Sequence, residues 1–406
     1  MRAIGRWALF LGACVSSLGI SLIASSRFLE SDRPYLASTI YPLNVEAVLT
    51  LVVRALSSES AAQRLDDFEE QIRRQIPTNA GDARLYSVLG EIYRQRGNTA
   101  AANAMFGHAL HLAKTEVNAL KWDILRLLTD GDYASALNQL DVMFRRWPDN
   151  IVSIAPVLPE VFSDQEAYPL LLRRLEQLPP WRIALLRALS AGNGPNLDFA
   201  SQLIIDLTPG AAPPSNAEIA QITSPLFSQK QYDAAYLTFL LTLSPEQRPL
   251  SGFIFNGSFA GSPSARHFDW NLRSQPGVKV NFGSPSTGLS IEFANTPVRG
   301  IGVEQYLSLP PGDYQFEANM SAEAAHLPKS LFWTIDCADP TSRVLSLEID
   351  SGDYRDRVKH GKFSVIPGSC RLYVLRLQTT ALAENWNDRY RGRVFAKNVR
   401  IETVPL

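Results

Sequence analysis

Acid–base or metal chemistry in this chain would have to come from five histidines and forty carboxylates. His108 and His111 stand three apart, a spacing that puts both on one helical face, as metal ligands would be. A third ligand is not evident nearby, so they read as surface histidines of a helix. His267 and Asp269 fall on one face of a strand and mimic an acid–base pair. A serine or cysteine nucleophile with an orienting partner does not accompany them. Glycoside cleavage needs two carboxylates across a cleft. Asp269, Asp336, Asp350 and Asp353 supply carboxylates, but acidic residues in turns are usually solvated. There is no His-Glu-x-x-His, Gly-x-Ser-x-Gly, phosphate loop or dinucleotide fingerprint. The expectation is therefore no catalytic residue, no metal and no cofactor.

Binding chemistry is better represented. Glu384 to Arg391 mixes Trp386 and Tyr390 with Asn387, Asp388 and Arg389, and lacks an alternating apolar face. Aromatic rings among short polar groups suit ligands with apolar ring faces and many hydroxyls, as sugars have. A tryptophan in such a loop is costly to leave uncovered. The alternative is that Trp386 folds back as a cap on an edge. Tyr354, with Arg355, Asp356 and Arg357, forms a second segment of this kind. Trp270 and Trp333 are expected in a core instead.

The elements that must carry these residues divide by periodicity. The 406 residues are 46% hydrophobic and 19% charged, with net charge −1. That is ordinary for a globular protein of two or three domains and argues against a nucleic-acid binder, which would usually show a basic stripe. Arg2 and Arg6 precede an uncharged run, Trp7 to Ala24. As a helix it spans roughly 27 Å, close to the ~30 Å of a bilayer core. The arginines favour the inside, so the rest should face outward. An uncleaved signal-anchor is the expectation for 1–33. Cleavage near Ala24-Ser25-Ser26 and a lipoprotein signal at Leu11 to Cys14 stay open. Cys337 and Cys370 form an even pair in an outward-facing domain, which points to a disulfide. It would stabilise by roughly 3.5–4 kcal/mol. Two buried thiols are the alternative.

Residues 34–249 read as helices. Tyr86, Leu89, Gly90 and Tyr93 share one face, Gly97-Asn98 breaks the helix, and Ala102, Phe106 and Ala109 mark the next. Gly131-Asp132, Ala136 and Pro148 repeat the pattern 34 residues on. This is a tetratricopeptide-like helix-turn-helix spacing, in which small residues permit close approach and Phe106 fills the layer. Helices near 168–178, 181–190 and 198–207 follow among Pro-rich breaks. Trp122, Trp147 and Trp181 are expected in the helical core. Stacked pairs present a concave surface for a peptide or protein.

Near Pro249 the period becomes 2. Val278 to Phe282, Leu289 to Phe293, Tyr314 to Met320 and Leu331 to Cys337 alternate, as do 363–365, 372–374 and 399–401. Pro276-Gly277, Gly283-Ser284-Pro285, Pro311-Gly312-Asp313 and Pro367-Gly368 supply turns. Residues 250–406 therefore read as an antiparallel β-sandwich.

The start Asn256-Gly257-Ser258-Phe259, then Phe268-Asp269-Trp270, Leu309 to Tyr314 and the closing Gly392 to Ile401 resemble jelly-roll carbohydrate-binding modules of the galactose-binding-like kind. Ala260 stands where many relatives carry Glu after that start, which affects any calcium or sugar contact depending on it. The whole chain resembles membrane-anchored proteins of bacterial exopolysaccharide biosynthesis. That resemblance implies a single-pass inner-membrane protein held by residues 7–24, with the bulk in the periplasm. It implies a non-enzymatic scaffold whose helices meet envelope proteins and whose sandwich meets polysaccharide. A pure protein–protein scaffold and a glycan-acting enzyme are the rival readings.

Overall fold

The computed structural model describes residues 2–404 except 59–60, 193, 284–287, 340 and 381–386, with side chains from residue 16. Compactness divides the chain into two units: Met1–Asn150 with Val161–Leu171, and Ile151–Glu160 with Leu172–Leu406. The last helices therefore compact with the sandwich, although the apolar period changes at Pro249.

The first unit holds α1 (Arg2–Leu29), α2 (Pro34–Ile40), α3 (Val45–Leu56), α4 (Leu65–Gln75), α5 (Ala83–Gln95), α6 (Thr99–Leu112), α7 (Val117–Thr129) and α8 (Tyr133–Arg146). Helices α5–α6 and α7–α8 start at a 34-residue offset, and their caps repeat with it. Asp82, Asn98, Glu116 and Asp132 each accept a backbone N–H of the first turn they precede. Gly97 and Gly131 both take φ +75°, the left-handed turn that ends the first helix of each pair. A Cβ on Gly90 would stand 2.8 Å from the Phe106 ring, so the absent side chain is what lets α5 and α6 touch. Leu89, Ala102, Phe106, Ala109 and Ala136 are buried, while Tyr86 and Tyr93 are half-buried and Pro148 is exposed. The Trp147 expectation is corrected: its ring is 37% exposed beyond the end of α8, beneath Arg146. Its indole N–H reaches only the Thr115 carbonyl, because α8 has already ended.

Helix α1 runs unbroken through Ala24-Ser25-Ser26. Among the described residues no helix is long and apolar enough to cross a membrane. The expected span 7–24 begins in the part whose side chains lie outside them.

Further along are α9 (Asn150–Ile154), α10 (Leu158–Phe162), α11 (Ala167–Glu176), α12 (Arg182–Ser190), α13 (Pro195–Leu207), α14 (Asn216–Ser228) and α15 (Tyr232–Leu241). Trp181 is buried, as expected. A buried ion pair, Arg182 to Glu218 at 2.8 Å, ties α12 to α14, where Glu218 also completes a capping box with Ser215.

The strands are β1 (Asn271–Leu272), β2 (Val278–Phe282), β3 (Leu289–Pro297), β4 (Val303–Leu307), β5 (Gly312–His326), β6 (Leu331–Ala338), β7 (Thr341–Ile349), β8 (Gly352–Val365), β9 (Tyr373–Thr379) and β10 (Arg389–Thr403). They form two antiparallel five-stranded sheets, ordered β1-β4-β9-β6-β7 and β2-β3-β10-β5-β8. Alternate residues meet between the sheets, including Trp270 and Trp333, both fully buried with ring centres 6.1 Å apart. Asn256 is a turn residue: at φ +50° its side chain accepts from Ala260 N and donates to Gly261 O. Cys337 and Cys370 are bonded, with Cα atoms 5.8 Å apart. The free-thiol alternative is thereby removed.

Candidate functional site

The two outer faces of the sandwich have different surroundings. On the first sheet, carboxylates and guanidinium groups alternate across the strands. Arg273 pairs with Glu304, Glu304 with Arg376 at 3.2 Å, Arg376 with Asp336 at 3.6 Å, and Asp336 with Arg343 at 2.9 Å. Glu304 and Asp336 are buried. Helices α14 and α15 meet the sandwich on the β4 side of this face. Phe227 of α14 lies flat on His267 at 4.2 Å and meets Tyr306 of β4 at 4.7 Å. The buried Arg266 donates to the carbonyls of Phe239 (3.0 Å) and Thr242 and to the Thr242 hydroxyl, at the C-terminal end of α15. A cation there satisfies the helix's last acceptors and meets the negative end of its dipole. Burial pulls the Arg266 guanidinium down to about 10.

On the second sheet the outer residues range from exposed, as Arg393 and Arg400 are, to buried, as Ser321 is. Glu317, Asn319, Ser321 and Glu323 of β5 lie beside Arg400, Asn398, Phe395 and Arg393 of β10. Arg400 pairs with Glu317 at 3.0 Å and Arg393 with Glu323 at 3.1 Å. Two bulges break this ladder at one level. Between Tyr354 and Arg357, β8 takes three steps while β5 takes two. Between Ala396 and Asn398, β10 takes two steps while β5 takes one. The extra residues are the Arg355–Asp356 corner, with Asp356 at φ +46°, and Lys397. They reach each other across β5, with Lys397 Nζ 2.6 Å from Asp356 Oδ1. The Asp356 backbone N–H donates to Ser321 Oγ at 3.0 Å. Bulges of this sort re-aim side chains and are features of the fold rather than defects.

The result is a cavity of about 320 Å³ lined by Ser321, Glu323, Tyr354, Arg355, Asp356, Phe395 and Lys397. Phe395 is half-buried and offers an apolar surface between the charged rows. Arg357 lies 4.6 Å over the Tyr354 ring, and burial pushes the phenol up to about 12, so it stays a protonated donor. The lining combines two aromatic rings with a hydroxyl, two carboxylates and two cations. It can hold a polyhydroxylated ligand, and it lacks a nucleophile with a paired base.

Of the residues expected to bind, Tyr354 is at this cavity. Trp386 lies outside the described residues. The loop reading of 389–391 is corrected, because Arg389 already begins β10. Tyr390 is fully buried, packs on Phe293 at 5.5 Å, and donates its hydroxyl to the Lys329 carbonyl at 2.5 Å. It is a core residue and reaches no ligand. Asn387 and Arg389 are exposed, and Asp388 stands 3.9 Å from Lys329. Phe395, Lys397, Ser321 and Glu323 were not anticipated. A signal exists for the bulge: apolar residues step by two at Val394 and Ala396, by three to Val399, then by two to Ile401.

The remaining chemistry-bearing residues are occupied. Asp269 accepts from Ser264 N (2.8 Å), Ser264 Oγ (2.6 Å) and Trp270 N (2.7 Å), which makes it a turn residue. Burial lowers the His267 pKa, and its ring is stacked on Phe227. Asp350 pairs with Arg357 and Lys359, and Asp353 accepts from Ala324 N. His108 and His111 are exposed on α6. Among the described residues no cluster of His, Cys, Asp and Glu could hold a metal ion.

In the first unit, a groove of about 450 Å³ runs between α3, α5, α6 and α7, with Val53, Leu56, Phe106, Lys121, Trp122 and Leu125 in its lining. Trp122 is half-buried and donates to Asn103 Oδ1 at 2.6 Å. It packs on Phe106 at 5.4 Å at the edge of the helical core, where it also forms a wall of the groove.

No family model and no curated protein matches the chain. Among solved structures, it is similar to a CBM4 structure, with TM-score 0.29 and 12% identity over 37% of this chain and 99% of that one. It is also similar to a family 6 carbohydrate-binding module, with TM-score 0.22 and 14% identity over 33% of this chain and 88% of that one. A third is a carbohydrate-binding module from Cellvibrio mixtus lichenase 5A in complex with cellotriose, at 0.22 and 10% over 34% and 99%. The C-terminal region resembles these modules. At such TM-scores the likeness adds nothing to the strand order and register given above.

Proposed function

We propose that this is a non-enzymatic binding protein whose sandwich takes a glycan on the outer face of the β2-β3-β10-β5-β8 sheet. The observation that carries this reading is the pair of bulges that opens a polar, aromatic-floored cavity across β5. Sugar rings would lie on Phe395, with hydroxyls meeting Ser321, Asp356 and Glu323. The concave groove of the first unit, of tetratricopeptide kind, supports a second contact, with a peptide or protein.

The reading extends to place. The bulk of the chain stands in the periplasm, tethered by α1 to the inner membrane, and serves polysaccharide assembly or export. Two observations support this: the Cys337–Cys370 bond, which persists in oxidising compartments, and the uncharged run 7–24 behind two arginines.

The test is affinity electrophoresis of the whole protein in gels carrying neutral or acidic polysaccharides. Retention by at least one polymer, lost at least tenfold in Phe395→Ala, is the expected result. Equal mobility of the two proteins in every gel removes the glycan reading. Release of sugar fragments would turn it into an enzyme.

A further inference from the structure

Of the twenty-one large apolar side chains exposed in the described residues, eight fall within 18–43: Leu18, Ile20, Leu22, Ile23, Phe28, Tyr35, Leu36 and Leu43. On α1 they point all round the helix, since 18, 20, 23 and 28 differ by 100° per step. An apolar surface on every side of a helix belongs in a core or a bilayer, and no described residue of this chain covers it.

The same stretch is held stiffly. Ser26 is fully buried and donates to the Ala37 carbonyl at 2.7 Å, so α2 folds back along the end of α1. Asn44 donates to Ser26 Oγ (2.8 Å) and to Glu30 (3.1 Å), while its Oδ1 caps α3. Tyr35 and Leu36 lie away from Ala37, which faces α1.

We infer that the α1–α2 elbow is an interfacial foot, whose Phe28, Tyr35, Leu36 and Leu43 lie in the headgroup layer of a lipid bilayer. This rests on the reading of α1 as a membrane tether. Helix length favours it: 28 residues span roughly 42 Å, while a bilayer core takes ~30 Å. With 7–24 in the core, residues 25–29 and the elbow fall at the surface. Aromatic rings suit that layer, and exposed Arg27 and Arg33 suit anionic headgroups. The buried Ser26–Asn44 network then fixes the first unit's orientation to the membrane, which a flexible linker would leave free.

The experiment uses the full chain with Cys14→Ser, in vesicles of phosphatidylethanolamine and phosphatidylglycerol. A fluorophore is placed on Phe28→Cys, Tyr35→Cys or, as control, Leu112→Cys of α6. Brominated lipid should quench the probes at 28 and 35 several-fold more than the probe at 112. Equal quenching at all three sites, in protein that resists alkaline carbonate, overturns the foot and leaves the tether. Protein stripped by carbonate overturns both. Concentration-dependent excimers between probes at 28 in detergent would assign the patch to a second copy of this chain and overturn the foot.

Discussion

The two outer faces of the sandwich both carry charged rows but put them to different use. On the β1-β4-β9-β6-β7 face, the ion ladder from Arg273 to Arg343 keeps Glu304 and Asp336 buried, and Phe227 lies against Tyr306 and His267. On the β2-β3-β10-β5-β8 face, Arg393–Glu323 is exposed and Arg400–Glu317 partly so, and two bulges interrupt the ladder at one level. The face that packs against helices has buried carboxylates held by arginines, and its irregularity between Ile335 and Asp336 opens no cavity of this kind among the described residues. On the face left to solvent the irregularities open a cavity. The lesson is that damage to the first should appear as lost stability, and damage to the second as lost binding.

The largest effect concerns the covered sheet's own staple. Cys337→Ala with Cys370→Ala should cost roughly 3.5–4 kcal/mol, read by denaturant titration of unit 2. Arg266→Leu comes next. It leaves the Phe239 and Thr242 carbonyls buried without their donor, at about 2–3 kcal/mol, with glycan retention unchanged at temperatures where the variant is folded. On the open face, Phe395→Ala should lower retention at least tenfold and leave the melting temperature within about 2–4 °C of the parent. If it unfolded the protein, the distinction between the faces would fail.

Acid sharpens the comparison further. The His267 pKa is depressed by burial, so the neutral ring is favoured in the folded state. Its stability contribution is complete above the unfolded value of 6.5 and declines as pH falls below it, until the folded value is passed. His267→Phe should keep the stack on Phe227 and flatten the decline of melting temperature with acid below pH 6.5. The smallest effect belongs to Lys397→Gln. An exposed pair with Asp356 contributes roughly 0.2–1 kcal/mol, so its loss should be nearly silent in melting and visible in glycan retention.

How much of this was legible depends on where information sits along the chain. The 34-residue offset of α5–α6 and α7–α8 is written in Gly97 and Gly131, in their capping neighbours and in Gly90 with Phe106, because those constraints are local. The inner faces of β2, β3, β5, β6 and β10 show in their alternation, and the two buried tryptophans follow. Tyr390 misled because the polar Asn387–Asp388 turn hides the start of β10, whose partner Thr296 is remote in sequence. The cavity was legible only in the Tyr354-Arg355-Asp356 segment, since Lys397 and Ser321 meet it only through the register of three strands.

The central claim is that the open face, at its bulges, is where a glycan sits. Hydrogen exchange of the whole protein, with and without the retained polysaccharide, tests it most directly. The account predicts new protection at 319–323, 354–357 and 395–398, and none around 304–306. Protection confined to 381–389 or to the β4–β9 side, with the bulged strands unchanged, would contradict it.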